Sequence, residues 1–278
     1  MRSLACSAVL FTVICAIAAG SGAADGGPSP GTLWGGGGLV APGGAVRYVA
    51  LPGDRSTAVA VVRVRDGQVV RYNVVPGSVG VPLVAFDGST GGLSADGSRL
   101  VLASALTPST TATTFRVIQT RNLSIANTIT LHGSWSFDAV SPDGATIFAI
   151  QYSSNALSYR VRAIDALTGR VRPGAIVDRR DPGVMRGSPT TRIEAAGSAY
   201  TLYARPNGTA FVHALDTVHP AALCLDLPWP PDKGNGVWHV RLSLTGHELI
   251  LGQPGVGTLA RIDLRSHRVQ SVRRPLTR

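Results

Sequence analysis

The chain has 278 residues, of which 44% are hydrophobic, 6% aromatic and 15% charged, and its net charge is +10. The apolar content excludes intrinsic disorder, the lack of a Gly-X-Y period excludes collagen, and three cysteines exclude a disulfide-stapled miniprotein. Of the 26 basic residues only Lys233 is lysine, which fits a high-G+C bacterial genome and weakens any functional meaning of the charge.

Residues 1–24 begin with Arg2, run through the charge-free stretch Leu4–Ala19 and end in small residues before Asp25. A basic start, an apolar centre and a small-residue exit predict a secretory signal peptide cut near Ala23 or Ala24. The alternative is an uncleaved anchor, because the apolar run is just long enough to span a bilayer. Cleavage removes Cys6 and Cys15 and leaves Cys224 in the run Ala221-Ala-Leu-Cys-Leu-Asp-Leu227, where it reads as a buried structural thiol. Residues 25–33 are expected to be a flexible linker, and 34–278 a single domain that is secreted or held in the cell envelope.

A glycine turn then recurs along the chain. Ser94-Ala-Asp-Gly97 and Ser141-Pro-Asp-Gly144 each precede an apolar run, with weaker copies at Ala41–Gly44, Glu194–Gly197 and Ser243–Gly246. Glycine in the last turn position accepts a positive φ, and Asp or Pro before it presets the bend, which is the chemistry of a hairpin. A second mark is an aspartate closing a strand ahead of a Thr or Ser: Asp165 before Thr168, Asp216 before Thr217, Asp263 before Ser266. No helical period persists for three turns. Units of about 50 residues, each with four short antiparallel strands, cannot bury both faces alone; stacked around an axis they can. The predicted fold is therefore all-β: a β-propeller of five blades, or six if residues 170–192 hide strands.

The Ser-Pro-Asp-Gly turn, the apolar strand after it and the Ile164-Asp-x-x-Thr-Gly169 strand end resemble the YVTN- and TolB-type, WD40-like repeats of bacterial β-propellers. Trp135–Gly144 and Phe211–Thr217 also resemble a group of exported propellers of high-G+C bacteria with no assigned activity. The resemblance implies a scaffold and carries no catalytic residues with it.

Chemical motifs are few. The mature chain has no Gly-x-Ser-x-Gly elbow, its single lysine precedes Gly-Asn rather than completing a phosphate loop, and one cysteine cannot build a zinc framework. No cofactor, metal or nucleic acid is expected. Asp96, Asp143, Asp165, Asp216, Asp263 and His213 read as structural. Unrepeated polar residues on the innermost strands are the better candidates, because those strands line an axial channel. They are Asp87, Asp138, Arg192, Glu194, His239 and Arg241, with Trp135 and Trp238 nearby. Arg179, Arg180 and Arg186, in the irregular stretch 170–192, are candidates for an anionic partner. The functional expectation is a monomeric, non-enzymatic propeller that binds a protein or anionic envelope polymer through one face and the axial mouth. The alternative is a hydrolase or lyase acting on an envelope sugar or lactone, with Asp138, Glu194 and His239 as acid, base and ligand-holder.

Overall fold

The computed structural model describes residues 29–276 except Trp34, Pro108, 154–157, Asp181, Val184, Ala196 and 232–235. The expected leader, residues 1–24, lies outside them. Residues 29–33, expected within the linker, are tied to the domain: Thr32 bridges Pro82, and the Leu33 N–H donates to the Val81 carbonyl at 2.8 Å.

The described residues form five antiparallel sheets with almost no helix. Blade 1 is β1 (Leu39–Val40), β2 (Val46–Pro52), β3 (Ser56–Arg63) and β4 (Val69–Pro76). Blade 2 has β5 (Arg99–Ala103), β6 (Ala112–Gln119) and β7 (Ser124–His132), and blade 3 has β8 (Trp135–Val140), β9 (Thr146–Tyr152) and β10 (Tyr159–Asp165). Blade 4 is β11 (Ser188–Ala195), β12 (Ser198–Ala204), β13 (Ala210–Asp216) and β14 (Ala221–Asp226); blade 5 is β15 (Arg241–Thr245), β16 (Glu248–Gln253), β17 (Gly257–Asp263) and β18 (Val269–Ser271). Blades 2 and 3 have three regular strands where four were predicted. Isolated bridges complete them: Leu93 with Leu100 supplies the inner edge of blade 2, and Met185, Ile176 and Val171 on β10 supply the outer edge of blade 3. The stretch 170–192 therefore finishes blade 3 and begins blade 4 instead of hiding a sixth. The fold is a five-bladed β-propeller.

The glycine turns join the inner strand of each blade to the next, as the sequence predicts. In Ser94–Gly97 and Ser141–Gly144 the aspartate accepts from the first serine hydroxyl and from the backbone N–H two residues on, and glycine takes φ of 70° and 71°. Asp165, Asp216 and Asp263 accept backbone N–H groups two and three residues ahead, closing the outer turns. These short local bonds hold Asp96, Asp143, Asp165 and Asp263 below the usual carboxylate range; at Asp96 burial is the largest influence and opposes the lowering.

Alternation along each strand sends one row of side chains to each neighbouring blade. Tyr48 and Val59 meet Leu100 and Ile118; Val101 and Phe115 meet Phe137 and Ile147; Phe148 and Val161 meet Tyr203 and Phe211; Leu202 and Val212 meet Leu249 and Leu259. These four apolar clusters seal blades 1 to 2, 2 to 3, 3 to 4 and 4 to 5. Among the described residues no fifth cluster joins blade 5 to blade 1.

Candidate functional site

The inner strands β8 and β11 each carry a bulge, at Asp138 and at Thr190. A bulge leaves one residue out of the ladder and re-aims its side chain. Asp138 thereby faces the Arg192 guanidinium, with Oδ1 2.5 Å from Nη1, and both side chains are 2% exposed. Arg192 also donates to Glu194 Oε1 through Nε at 3.1 Å and Nη2 at 2.8 Å, and to the Thr201 hydroxyl at 3.3 Å. Burial works against the Arg192 charge, but Glu194 and Asp138 outweigh it and raise its pKa. The second oxygen of Asp138 is buried without a hydrogen-bond partner.

Around this pair lies a ring of aromatics from blades 3 and 4. Tyr152 and Tyr159 contact edge to face at 5.9 Å between centroids, Tyr159 lies 6.0 Å from Tyr203, and Tyr203 stacks on Phe211 at 5.1 Å. Burial pushes all three tyrosine hydroxyls upward, and it lowers the pKa of His213, which lies edge-on to Tyr203. His213 thus sits in the core between blades 3 and 4, as its alternation with Phe211 and Leu215 predicts.

A hairpin reaches the inner strand of blade 4 from between blades 1 and 2. Between β4 and β5 the chain makes a hairpin, pairing Leu83 with Thr90, whose tip crosses to the inner strand of blade 4. There the N–H groups of Phe86 and Asp87 donate to the carbonyls of Pro189 and Thr190 at 2.9 and 3.1 Å, and Phe86 meets Trp238 edge to face at 5.7 Å. Asp87 is therefore on an exposed hairpin tip, where it accepts from the Ser89 N–H and hydroxyl, and not on an inner strand. Trp135 is buried in the seam between blades 2 and 3, with its indole N–H on the His132 carbonyl. Trp238 and His239 belong to a 3-10 helix, Gly236–His239, and His239 and Arg241 are exposed. Of the predicted hub residues, Asp138, Arg192 and Glu194 are joined by ion pairs, and Asp87 reaches the Arg192 carbonyl through the Ser89 hydroxyl. At the glycine-turn face, Glu194, 47% exposed, lines a cavity of about 140 Å³ with Leu93, Val140 and Pro142.

The larger concavity is on the rim. A cleft of about 870 Å³ lies between the outer segment of blade 3 and the outer strands of blade 4, with Leu264 and His267 of blade 5. Its floor is apolar (Ile176, Tyr200, Leu223), and Arg172, Arg179 and Arg180 lie along it. Asp178 anchors the segment. Its buried carboxylate accepts the backbone N–H of Cys224 from β14 at 2.8 Å and pairs with Arg180, Nη2 to Oδ2 at 2.7 Å. The Arg180 side chain remains 60% exposed. The Arg180 bonds, with the Cys224 and Arg180 amides, hold Asp178 well below the usual carboxylate range despite its burial. Arg186 is exposed further along the segment and does not line the cleft.

Sequence reasoning missed three residues that shape these sites. Asp178 carries no motif beyond preceding two arginines. Phe86 gives no signal, since nothing local says that a hairpin will reach across a ring. Asn73 had one that could have been found. It lies 54 residues before Asn127, and each asparagine caps the next strand N–H and donates to a carbonyl of the following blade, Leu123 or Ala166.

No protein-family model and no curated protein matches this chain. Solved structures do. The dihydro-heme d1 dehydrogenase NirN aligns with a TM-score of 0.50 at 15% identity, over 85% of this chain and 45% of that one. TolB from Acinetobacter baumannii aligns at 0.46 and 10% identity, over 83% and 52%, and the Dos1 propeller at 0.48 and 12%, over 84% and 57%. The chain spans about half the length of these proteins. At such identities the likeness extends to the propeller fold alone.

Proposed function

We propose that this chain is an exported, non-enzymatic propeller that binds an anionic component of the cell envelope through the rim cleft. The observation that carries the reading is the arginine-bearing cleft between blades 3 and 4. Arg172, Arg179 and Arg180 lie over an apolar floor, on a segment whose position Asp178 fixes. Cations gathered along one concave surface raise the local concentration of anions, and fixed positions limit the entropy lost on binding. The charge-poor leader and the YVTN- and TolB-like turns support an extracytoplasmic scaffold, and loops on a rigid ring suit partner recognition.

The hydrolytic alternative has less support. Asp138 is 2% exposed and shares the Arg192 guanidinium with Glu194, so it has no solvent-facing oxygen to offer a substrate.

The test is retention on isolated cell envelopes across a salt series. The chain should bind, and salt should weaken it by screening. Arg179→Ser with Arg186→Ser should separate the cleft from the rest of the segment: R179S lowers retention and flattens the salt dependence, whereas R186S alone does little. Retention unchanged in R179S and in R172S would overturn the cleft as the binding site.

A further inference from the structure

The rim cleft carries its positive charge on one edge, above a long apolar floor. Arg172, Arg179 and Arg180 all come from the outer segment of blade 3, and all three are exposed. Arg172 donates from Nη2 to the Thr146 hydroxyl at 3.1 Å, and Arg180 gives Nε and Nη2 to Asp178. The floor spans two seams. Ile176 belongs to the cluster between blades 3 and 4, whereas Tyr200, Leu223 and Leu264 pack half-buried against the cluster between blades 4 and 5; all four line the one cleft. The carboxylates on the lining are already engaged. Asp178 is buried on Arg180 and the Cys224 N–H, and Asp216 accepts the Val218 and His219 N–H groups of its own turn.

The opposite end of the cleft, on blade 5, holds a strained backbone. His267 lines it with φ of 57°, in the left-handed region that residues other than glycine seldom adopt. The ring repeats this turn. The N–H groups of Arg63, Asp165 and Asp263 each donate to the carbonyl five residues on, and the residue just before that carbonyl is Gly67, Gly169 or His267. In blade 2 the corresponding residue is Leu123, whose N–H donates four residues back as those of Gly67 and Gly169 do. Leu123 also has a positive φ, 58°, but it is fully buried between blades 1 and 2, and that packing offsets the strain. His267 is exposed, so no core contact explains it; its ring walls the cleft. Strain without a packing reason points to function.

Granted the anionic cleft proposed above, we propose that its ligand is a single anionic amphiphile, with the headgroup on the blade 3 arginines and the alkyl chain along the floor toward Leu264 and His267. Cations on one edge suit one charged head, whereas a polyanion lying along the cleft would meet arginine at one end and apolar side chains over the rest. Among Ile176, Tyr200, Leu223 and Leu264 the only polar group is one hydroxyl, so a sugar there would lose water without gaining partners, while an alkyl chain asks for none. The volume, about 870 Å³, lies within the ~300–1,000 Å³ of small-molecule sites. An imidazole at the far end offers its apolar body to the chain and its polar tip to water.

Titration calorimetry on the full chain tests this with butyl, octyl and dodecyl phosphate below their micellar concentrations, against inorganic phosphate and the uncharged dodecyl maltoside. Affinity should climb with chain length, by up to about fourfold per methylene. Inorganic phosphate and dodecyl maltoside should each bind weaker than dodecyl phosphate by about tenfold or more. Arg179→Ser should weaken all the phosphates alike, and Leu264→Ser should flatten the dependence on chain length. His267→Gly gives blade 5 the glycine that blades 1 and 3 use, so the turn persists; it should weaken dodecyl phosphate by about threefold or more and leave inorganic phosphate unchanged. Envelope retention that depends on Arg179, together with alkyl phosphate binding that is absent or ignores chain length, overturns the amphiphile and leaves the anionic cleft standing. Dodecyl phosphate binding unchanged in both R179S and H267G places the ligand elsewhere and overturns both.

Discussion

Two arginines, Arg192 in the hub and Arg180 on the rim, show how one residue type serves opposite ends. Both are held by a buried aspartate. Arg192 is itself sealed, its side chain 2% exposed and its charge divided between Asp138 and Glu194. Arg180 gives one edge of its guanidinium to Asp178 and keeps most of its surface in solvent. The first arrangement locks two inner strands together and has nothing left for a ligand. The second orients a charge and leaves it available. Burial of the cation, not the strength of the pair, separates scaffold from candidate site.

The largest effect should come from breaking the sealed pair. Asp138→Ala strands the Arg192 charge beside Glu194 alone and should destabilise the fold by ~3–5 kcal/mol in urea unfolding. The double variant D138L/R192M should recover much of that loss, since an apolar pair of similar volume replaces two desolvated charges. A double variant as unstable as D138A would mean that the bulged backbone, and not the charge, is at fault.

Asp178→Ala should be milder, ~1–3 kcal/mol, because it leaves the Cys224 N–H without its acceptor while Arg180 moves into water. Hydrogen exchange at the Cys224 amide should report it directly, with little change in the hub strands.

The pH profile separates the regions further. His213 has its pKa lowered by burial, so the unfolded chain binds more protons, and stability present above about pH 6.5 falls as the pH drops below that value. Asp178 is depressed by Arg180 and the Cys224 amide; its contribution is full above about pH 3.9 and is lost on further acidification. His213→Gln should remove the first, milder loss and leave the second; a profile unchanged in H213Q would mean that the imidazole is not held neutral.

The smallest effect on folding belongs to Arg179→Ser, within about 0.5 kcal/mol as for most exposed substitutions. Its consequence should be confined to envelope retention. A thermal shift as large as that of Asp178→Ala would place Arg179 in the scaffold.

The blades were legible in the sequence because their signals are local. Asp96, Asp143, Asp165 and Asp263 each bond within five residues, so turn chemistry and strand alternation specify the hairpin wherever the motif recurs. Asp138, Arg192 and Glu194 could be named as unrepeated ionisable residues on inner strands, but not as a closed network: their distances depend on bulges at Asp138 and Thr190, which no turn motif marks. Asp87 was misplaced for a related reason. Its segment is apolar and strand-like, yet it forms a hairpin whose tip N–H groups, Phe86 and Asp87, bond to blade 4.

The sequence by itself determined the repeating unit, its strand count to within one per blade and the turns that connect it, because those features answer to interactions a few residues long. Only the tertiary structure decided that the Phe86 hairpin reaches blade 4, that the arginines of residues 172–180 line a cleft, and that Asp138, Arg192 and Glu194 close into one network. Those outcomes depend on contacts between residues far apart in sequence, where what decides the result is which faces meet when the ring forms.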